Sequence, residues 1–250
     1  MKKYVIILFS FLFVVSSCKT TKLVKIHSHN DYAQQIPFQN AFENGIHSVE
    51  VDVFLKNGTL NVTHDELTIR ASRNLESMYL KPLSKNLSKK GSGIKNLQLL
   101  IDLKSEANTT LNQLLHTLST YPDLIENDKI TFVISGNRPP IEEYINYPSY
   151  ILFDYQSLDH IEEPETLKKI ALISLPFHRY SKWSGELMMN PKDFEALKTV
   201  VDNAHGYKKP FRFWGTPDTE LAWNTFALLG VDFINTDNPV ACKNHFKNKK

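Results

Sequence analysis

The residues best suited to chemistry are concentrated in one stretch of the sequence, from His27 to Asp65. Within it, Glu50 and Asp52 alternate with valines across Ser48–Leu55, and this period of two predicts a strand that carries both carboxylates on one face. Neighbouring carboxylates repel each other, and burying them without a partner is costly. A divalent cation between them removes that cost. The stretch therefore predicts a metal site.

Other residues extend this site. Asp102, at the end of a later apolar run, supplies a third carboxylate, and an all-oxygen set of this kind suits Mg²⁺ or Ca²⁺. His29 and His64 flank the carboxylates, and two histidines beside a metal-bound phosphate can act as general base and general acid. His27 is a further candidate, because H-x-H is also a metal-ligand pattern. Lys104 could neutralise a phosphate oxygen or simply pair with Asp102.

These residues need a scaffold, and apolar runs separated by amphipathic segments supply one. Strands are predicted at Leu23–His27, Ser48–Leu55, Gln98–Leu103, Lys129–Ser135, Tyr150–Phe153, Lys169–Ser174, Pro210–Trp214 and Val231–Asn235, with a short extra strand at Thr59–Thr63. Helices are predicted at Phe38–Asn44, Asn108–Leu118 with Thr109 or Thr110 as cap, Pro191–Ala204 after Asn190, and Asp218–Leu229 before Gly230. This alternation favours an α/β fold, a closed (β/α)8 TIM barrel in a single domain over residues 23–245. An open doubly wound sheet is the alternative, but no Gly-rich nucleotide turn follows a predicted strand.

The barrel interpretation predicts functional residues at the C-terminal ends of the strands, because active sites of such barrels lie there. Polar residues stand at most of those ends, including His29, Asp52, Asp102, Asp154 and Asp237. This convergence is the strongest argument from the residues for an enzyme. Trp214, at the end of the seventh predicted barrel strand, could line the substrate pocket or be a core aromatic residue.

The N-terminus is expected to lie outside the fold. Lys2 and Lys3 precede an apolar run, Tyr4–Val15, which is too short to span a bilayer comfortably, so residues 1–17 are predicted to be a signal peptide. The sequence Val15-Ser16-Ser17-Cys18 resembles a bacterial lipobox, which predicts lipidation of Cys18, with residues 18–22 as a lipidated tether. An ordinary signal peptide is the alternative. We expect a protein anchored by lipid in the bacterial cell envelope, on the periplasmic face.

Composition limits the partners. The formal net charge is +2, and the 22% of charged residues form no basic stripe interleaved with aromatic residues, so no nucleic acid is expected. If Cys18 is lipidated, Cys242 is a lone thiol and no disulfide forms. We expect a monomer.

Five motifs stand in a fixed order: H-x-H-N-D-Y, G-x-x-S-V-E-x-D-V, L-x-V-x-H-D, D-L-K and G-V-D-x-I-x-T-D. Together they resemble the superfamily of glycerophosphodiester phosphodiesterases and phosphatidylinositol-phospholipase-C-like enzymes. Residues 27–32 and 74–83 are similar to the branch named for the altered-inheritance-of-mitochondria protein of yeast. The resemblance covers His27 to Asp237. It implies a TIM barrel and metal-dependent phosphodiester cleavage, with a small phosphodiester or a lipid headgroup as substrate.

The resemblance also implies roles for individual residues. It assigns the metal to Glu50, Asp52 and Asp102, and acid/base catalysis to His64 and one strand-1 histidine. His29 is preferred to His27 because it lies closer in spacing to Glu50. The expected substrate contacts are Lys104, Asn30, Trp214 and Asp237. Glycerol phosphate specificity is not carried over, because this chain lacks the H-R-G and P-E-N-T motifs of the glycerophosphodiesterases.

Two alternative functions are left open. One is a metal hydrolase of the amidohydrolase or polymerase-histidinol-phosphatase type, in which His27 and His29 bind the metal together with His178 and Asp237. The other is a lipoprotein that binds a lipid headgroup or glycan without turnover. The bound metal and the presence or absence of hydrolysis distinguish the three functions.

Overall fold

Eight parallel strands form a closed barrel. A computed structural model describes residues 24–87 and 96–248. The barrel strands are β1 (Lys25–Ser28), β2 (Ser48–Lys56), β4 (Leu97–Leu103), β5 (Ile130–Gly136), β6 (Ile151–Tyr155), β7 (Ile170–Pro176), β8 (Phe211–Trp214) and β9 (Phe233–Thr236). Neighbours in sequence are neighbours in the sheet, and β1 pairs with both β2 and β9, which closes the barrel. The predicted TIM barrel is confirmed.

Helices and turns cover the outside of the barrel. The α-helices are α1 (Gln39–Glu43), α2 (Lys81–Leu87), α3 (Ala107–Ser119), α4 (Pro122–Ile125), α5 (Pro164–Lys168), α6 (Pro191–Gly206), α7 (Glu220–Leu229) and α8 (Pro239–Lys247). A π-helix, Glu76–Leu80, leads into α2, and short 3-10 turns lie at Asp31–Ala33, Glu66–Thr68, Ile141–Asn146 and Phe177–Arg179. No helix within the described ranges is long and apolar enough to cross a membrane.

The predicted extra strand is β3 (Thr59–Val62), which pairs antiparallel with the end of β2. The two residues between these strands, Asn57 and Gly58, have φ values of 52° and 71°. Positive φ at both central positions is what a tight hairpin turn needs, and Asn-Gly supplies it at little steric cost. The hairpin extends β2 beyond the barrel and carries the chain towards His64.

The helix ends follow their capping residues. Asn190 caps α6 as predicted, because its side chain accepts a hydrogen bond from the backbone N–H of Asp193. Gly230 ends α7 with a φ of 88°. The predicted cap of α3 was wrong: the Glu106 carboxylate accepts the N–H groups of residues 108 and 109, so the helix begins earlier, and Thr110 lies inside it.

The barrel interior has an apolar layer beneath a polar one. Four strands contribute the apolar cluster Leu100, Val133, Leu172 and Phe233. Strand side chains alternate, so the residues two positions further along point the same way. These residues are Asp102, Ser135, Ser174 and Asn235. The interior therefore becomes polar towards the C-terminal ends of the strands, where a site can form. The predicted signal peptide, Cys18 and the tether lie outside the described residues.

Candidate active site

Three carboxylates form the centre of the site. Glu50 and Asp52 lie on β2, and Asp102 lies on β4, directly in register with Asp52. One oxygen atom from each carboxylate lies within 4.8 Å of the other two. We call these three residues the acidic triad. The structure thus brings together the three side chains that the sequence analysis predicted as metal ligands.

The acidic triad offers oxygen atoms that the protein does not use. Asp52 Oδ1 and Asp102 Oδ1 are buried and have no hydrogen-bond partner among the described residues. Gly136, whose φ is +69°, leaves the space for one of them, because a β-carbon here would lie 1.9 Å from Asp102 Oδ1. Buried carboxylate oxygens without a donor are costly, and hard cations bind such atoms. The residues present therefore fit a cation such as Mg²⁺ or Ca²⁺.

The charges around the acidic triad do not balance. Lys104 Nζ lies 3.1 and 3.3 Å from two of its carboxylates, and Arg212 Nη1 lies 2.7 Å from the third. Asp154 adds a fourth buried carboxylate, 3.6 Å from Arg212 Nη2. Four carboxylates thus share two lysine and arginine charges in the described part of the chain. The excess of two negative charges equals the charge of one divalent cation.

Electrostatic repulsion within the acidic triad also affects protonation. Burial raises the pKa of Asp102 to about 6, opposed by the charge of Lys104 and assisted by Glu50 and Asp52. Burial lowers the pKa of Lys104, but the attraction of Asp102 and Asp52 outweighs it and the net pKa is raised, so Lys104 stays charged. A bound cation would favour the ionised form of every carboxylate in the acidic triad.

Arg212 is a component that the sequence analysis missed. It is 3% exposed, lies on β8 and donates from Nη1 to Glu50 Oε2 and, at 3.2 Å, to Asn235 Oδ1. Burial raises the pKa of Glu50, but Arg212 and the hydrogen bond from His27 outweigh it, so the pKa lies well below its usual range. The missed signal is a charged residue flanked by Phe211 and Phe213 within a predicted buried strand.

His27 lies beneath the acidic triad rather than in the open site. It is fully buried, with Nε2 2.6 Å from Glu50 Oε2 and Nδ1 2.7 Å from Ser48 Oγ. Burial, together with the charge of Arg212, lowers the pKa of His27 to about 4. The ring is therefore neutral near pH 7, and both of its nitrogen atoms are already engaged by the protein.

His29 faces the site and is held from behind by Asp237. Its Nδ1 lies 2.7 Å from Asp237 Oδ1, and the side chain is 29% exposed. Burial lowers the pKa of His29, but the hydrogen bond to Asp237 and the charge of Glu50 outweigh it, so the net pKa is raised. An N–H on Nδ1 leaves Nε2 to face outward as the reactive nitrogen. Asp237, predicted as a substrate contact, thus contacts a predicted catalytic residue.

His64 is oriented in the same manner by a carboxylate of the acidic triad. Its Nδ1 lies 2.8 Å from Asp52 Oδ2, and its side chain is 70% exposed. The Tyr32 hydroxyl donates to the same oxygen at 2.8 Å. Asp52 Oδ2 is therefore surrounded by donors, while Asp52 Oδ1 has none in the described chain. This division directs one oxygen to the protein and leaves the other for a cation.

A cleft of about 480 Å³ joins these groups. The predicted site residues that line it are His29, Asn30, Glu50, His64, Asp102, Lys104 and Trp214. Asp52 lies against it through His64, whereas His27 does not line it. The further lining residues that the sequence analysis did not propose as site residues include Gln156 and Arg212. The indole Nε1 of Trp214 is buried and has no hydrogen-bond partner among the described residues.

Sequence comparisons find similarity to phosphodiesterase families and to one group of curated proteins. A family model described as an AIM6-like phosphodiesterase domain matches residues 16–96, and one for the glycerophosphoryl diester phosphodiesterase family matches residues 210–240. Altered inheritance of mitochondria protein 6 of Kluyveromyces lactis is 26% identical, over 87% of this chain and 71% of its own length. The homologue from Arthroderma benhamiae is 27% identical, over 89% and 84%. The predicted resemblance is confirmed.

Solved structures extend the likeness to the fold. A glycerophosphodiester phosphodiesterase from Parabacteroides distasonis superimposes with a TM-score of 0.56 at 17% identity, over 91% of this chain and 98% of its own. A phosphodiesterase from Oleispira antarctica, solved in complex with the product sn-glycerol-3-phosphate, gives 0.53 at 14% identity, over 90% and 96%. This chain therefore shares its barrel fold with these solved phosphodiesterases.

The geometry disfavours a metal site built on the H-x-H pattern. Both ring nitrogens of His27 are bonded within the protein, and Nδ1 of His29 is bonded to Asp237. His178 packs its ring on Trp214, with centroids 5.8 Å apart. In the described chain, the group of acidic, histidine and cysteine side chains that could hold a cation is the acidic triad, and it contains no histidine.

Proposed function

We propose that this protein cleaves phosphodiesters with a divalent cation on the acidic triad and with His29 and His64 as the acid/base pair. The observation that carries the proposal is the position of the two histidines. Each holds a carboxylate through Nδ1, and each lines the cleft into which Glu50 and Asp102 also open. A carboxylate behind a histidine fixes its tautomer and supports its positive form during proton transfer.

The acidic triad would hold the cation through Asp52 Oδ1, Asp102 Oδ1 and an oxygen of Glu50. Such a cation, Mg²⁺ or Ca²⁺, would stabilise negative charge on a phosphate oxygen as a Lewis acid. Lys104 lies at the edge of the same cleft and adds a fixed positive charge for the phosphate. Electrostatic stabilisation of this kind is the larger part of the expected rate enhancement.

The two histidines move the protons. One accepts the proton of the attacking hydroxyl, either from water or from a neighbouring hydroxyl of the substrate, as the new P–O bond forms. The other donates a proton to the leaving alkoxide as its P–O bond breaks. Each step contributes about 10²–10⁴-fold. Nε2 is the reacting atom in both rings, because Nδ1 is engaged by Asp237 or Asp52.

The substrate is proposed to be a small phosphodiester or a phosphodiester lipid headgroup. The cleft has a volume of about 480 Å³, which is within the range of small-molecule sites. Asn30 and Trp214 line it and would contact the alcohol groups through an amide and an indole ring. Asp237 would act through His29 rather than on the substrate. The Oleispira antarctica phosphodiesterase was solved with its product sn-glycerol-3-phosphate, a small phosphate monoester, which supports a small phosphodiester as the substrate of this chain.

The test is hydrolysis of bis(p-nitrophenyl) phosphate and of a glycerophosphodiester. We expect turnover with Mg²⁺ or Ca²⁺, loss of it in EDTA and recovery after the cation is added back. His64→Ala is expected to lower kcat by about 10²–10⁴-fold, whereas the exposed His116 on α3 gives a matched control, His116→Ala, with unchanged rate. Equal turnover in metal, EDTA and His64→Ala would contradict the proposal.

A lipoprotein that binds a headgroup without turnover is the remaining alternative. The carboxylate-held pair of His29 and His64 favours the enzyme, because binding alone does not need two oriented proton-transfer groups. Calorimetric binding of a phosphodiester with no hydrolysis over hours would decide for the alternative.

We also propose that residues 1–17 are removed and that Cys18 is lipidated. The lipid would anchor the protein in the bacterial cell envelope, with the barrel on the periplasmic side. We propose that the anchored protein is a monomer. The apolar run that ends in Val15-Ser16-Ser17-Cys18 supports the proposed lipidation. Labelled palmitate is expected to enter the full-length chain and not Cys18→Ser. Label in both chains, or in neither, would contradict it.

A further inference from the structure

A buried chain of hydrogen bonds runs from the start of the strands to the acidic triad. Gln98 Nε2 donates to Ser48 Oγ at 2.7 Å, and Ser48 Oγ lies 2.7 Å from His27 Nδ1. His27 Nε2 in turn lies 2.6 Å from Glu50 Oε2. The exposed fractions of Gln98, Ser48 and His27 are 8%, 0% and 0%. We call these three residues the buried relay.

The charge of Glu50 determines which atoms in the buried relay carry the hydrogens. A carboxylate oxygen only accepts, so a neutral His27 must donate to it from Nε2. Nδ1 is then an acceptor, and Ser48 must donate its hydroxyl hydrogen to it. The oxygen of Ser48 is left to accept from the amide of Gln98, which is the observed contact. Each member has one consistent role.

Arg212 does not change this assignment. Its Nη1 lies beside His27 Nε2, and a donor at that position could compete for a ring lone pair. However, Nη1 has two hydrogens, and contacts to Glu50 Oε2 and Asn235 Oδ1 account for both. Glu50 Oε2 thus receives one hydrogen bond from Arg212 and one from His27. With that oxygen fixed by two donors, the other remains for the cation.

We propose that Gln98 and Ser48 are positioning residues that hold the His27 ring through Nδ1, so that Nε2–H of His27 orients Glu50 for the cation. The inference rests on the proposed metal-dependent function and assigns a task to residues that lie outside the cleft. Groups that hold a metal ligand in this way typically change metal affinity by 10–100-fold when they are removed. His27 is accordingly a positioning residue and not an acid/base catalyst.

The first measurement is the tautomer of His27, read from the imidazole ¹⁵N shifts of cation-free protein. We expect Nε2–H in the wild type. In Ser48→Ala, Nδ1 loses its donor, but the Glu50 carboxylate still accepts from Nε2, so Nε2–H should be kept and only the contact that holds the ring is lost. Gln98→Glu has nearly the same volume and reverses the polarity of the buried relay, because a carboxylate accepts the Ser48 hydrogen. Ser48 Oγ then accepts from His27, so this variant should place a hydrogen on Nδ1, which tests the buried relay even if Ser48→Ala does not fold.

The second measurement is calorimetric titration with Mg²⁺, and with Ca²⁺ in parallel. Ser48→Ala is expected to bind the cation about 10–100-fold more weakly. The buried hydroxyl of Thr225 on α7 lies outside the buried relay, so Thr225→Val controls for the loss of a buried hydroxyl and should bind normally. In His27→Gln the amide N–H can donate to Glu50 without help, so adding Ser48→Ala to it should change the affinity by less than twofold.

The outcomes separate the two proposals. If the wild type binds neither cation, the proposed metal function fails, while the ¹⁵N shifts still test the buried relay. If the wild type binds a cation, but Ser48→Ala leaves the affinity unchanged and Gln98→Glu leaves Nδ1 without a hydrogen, the inference fails and the metal function stands. Ser48→Ala is also compared in the wild type and in His27→Gln. If it weakens cation binding equally in both, the inference is also overturned, because a serine with a purely structural role would act independently of His27.

Discussion

Replacing Arg212 by Met lowers the free energy of unfolding by about 3–5 kcal/mol. The guanidinium is 3% exposed and lies between two buried carboxylates, 2.7 Å from Glu50 and 3.6 Å from Asp154. Without it, both carboxylates keep their desolvation cost and lose their cationic partner. Urea unfolding of cation-free protein at pH 7 measures the effect.

The size of this loss depends on pH in a defined direction. Arg212, with His27, holds the pKa of Glu50 well below its usual range against the opposing effect of burial. A depressed folded-state pKa adds stability above the unfolded pKa, about 4.3 for Glu, and that stability is lost as the pH falls through the folded pKa. The difference between wild type and Arg212→Met should therefore be largest above pH ~5 and smaller in acid.

A surface ion pair gives the matched control. Lys168 pairs with Glu165 at 2.5 Å, and the two side chains are 70% and 68% exposed. Exposed pairs contribute about 0–1 kcal/mol, so Lys168→Met should change stability by no more than that. If Arg212→Met loses only as much as Lys168→Met, then the ion pairs of Arg212 with Glu50 and Asp154 do not stabilise the fold, and the charge accounting around the acidic triad is wrong.

The barrel and the acidic triad were predictable because both follow from local rules. Alternation with period two places Glu50 and Asp52 on one face of a strand, and the C-terminal ends of barrel strands meet at one edge. Asp102 lies next to Asp52 because consecutive barrel strands are neighbours, and the two residues are in register. These relations depend on spacing within a strand and on strand order, and the sequence carries both.

The support beneath the acidic triad was not predictable for a physical reason. Arg212 meets His27 and Glu50 across 185 and 162 positions of the chain. Which inward side chain of β8 reaches which side chain of β2 depends on the stagger of the closed barrel. The serine of the buried relay, Ser48, was passed over for a related reason. Serine at the start of a strand has no chemical signature until its in-register neighbour on the adjacent strand, here His27 on β1, is known.

The same limitation explains why H-x-H left the choice between His27 and His29 open. Alternation places the two rings on the same side of the chain, and spacing alone does not say which ring is covered by other strands. In the fold, β1 ends at Ser28, so His27 is packed between β2 and β9, while His29 emerges at the cleft. Depth in the barrel therefore separates the two proposed roles.

His29→Ala is expected to lower kcat by about 10²–10⁴-fold while leaving the affinity for Mg²⁺ within twofold. The reason is that His29 contacts Asp237 and the cleft, and makes no hydrogen bond to the acidic triad within the described chain. His27→Ala should give the opposite division, with weaker cation binding and a smaller loss of kcat at saturating cation. If His29→Ala weakened cation binding and His27→Ala did not, His29 would be the positioning residue and His27 the acid/base catalyst.

Asp237→Asn tests the same assignment without removing either ring. The hydrogen bond to Asp237 raises the pKa of His29 against the effect of burial, so an amide at this position should lower that pKa. If His29 is the base, the acidic limb of the kcat/KM profile moves to lower pH. If it is the acid, the alkaline limb moves to lower pH. The direction is the same in both cases, whereas Asp237 acting as a substrate contact alone would raise KM and leave both limbs in place.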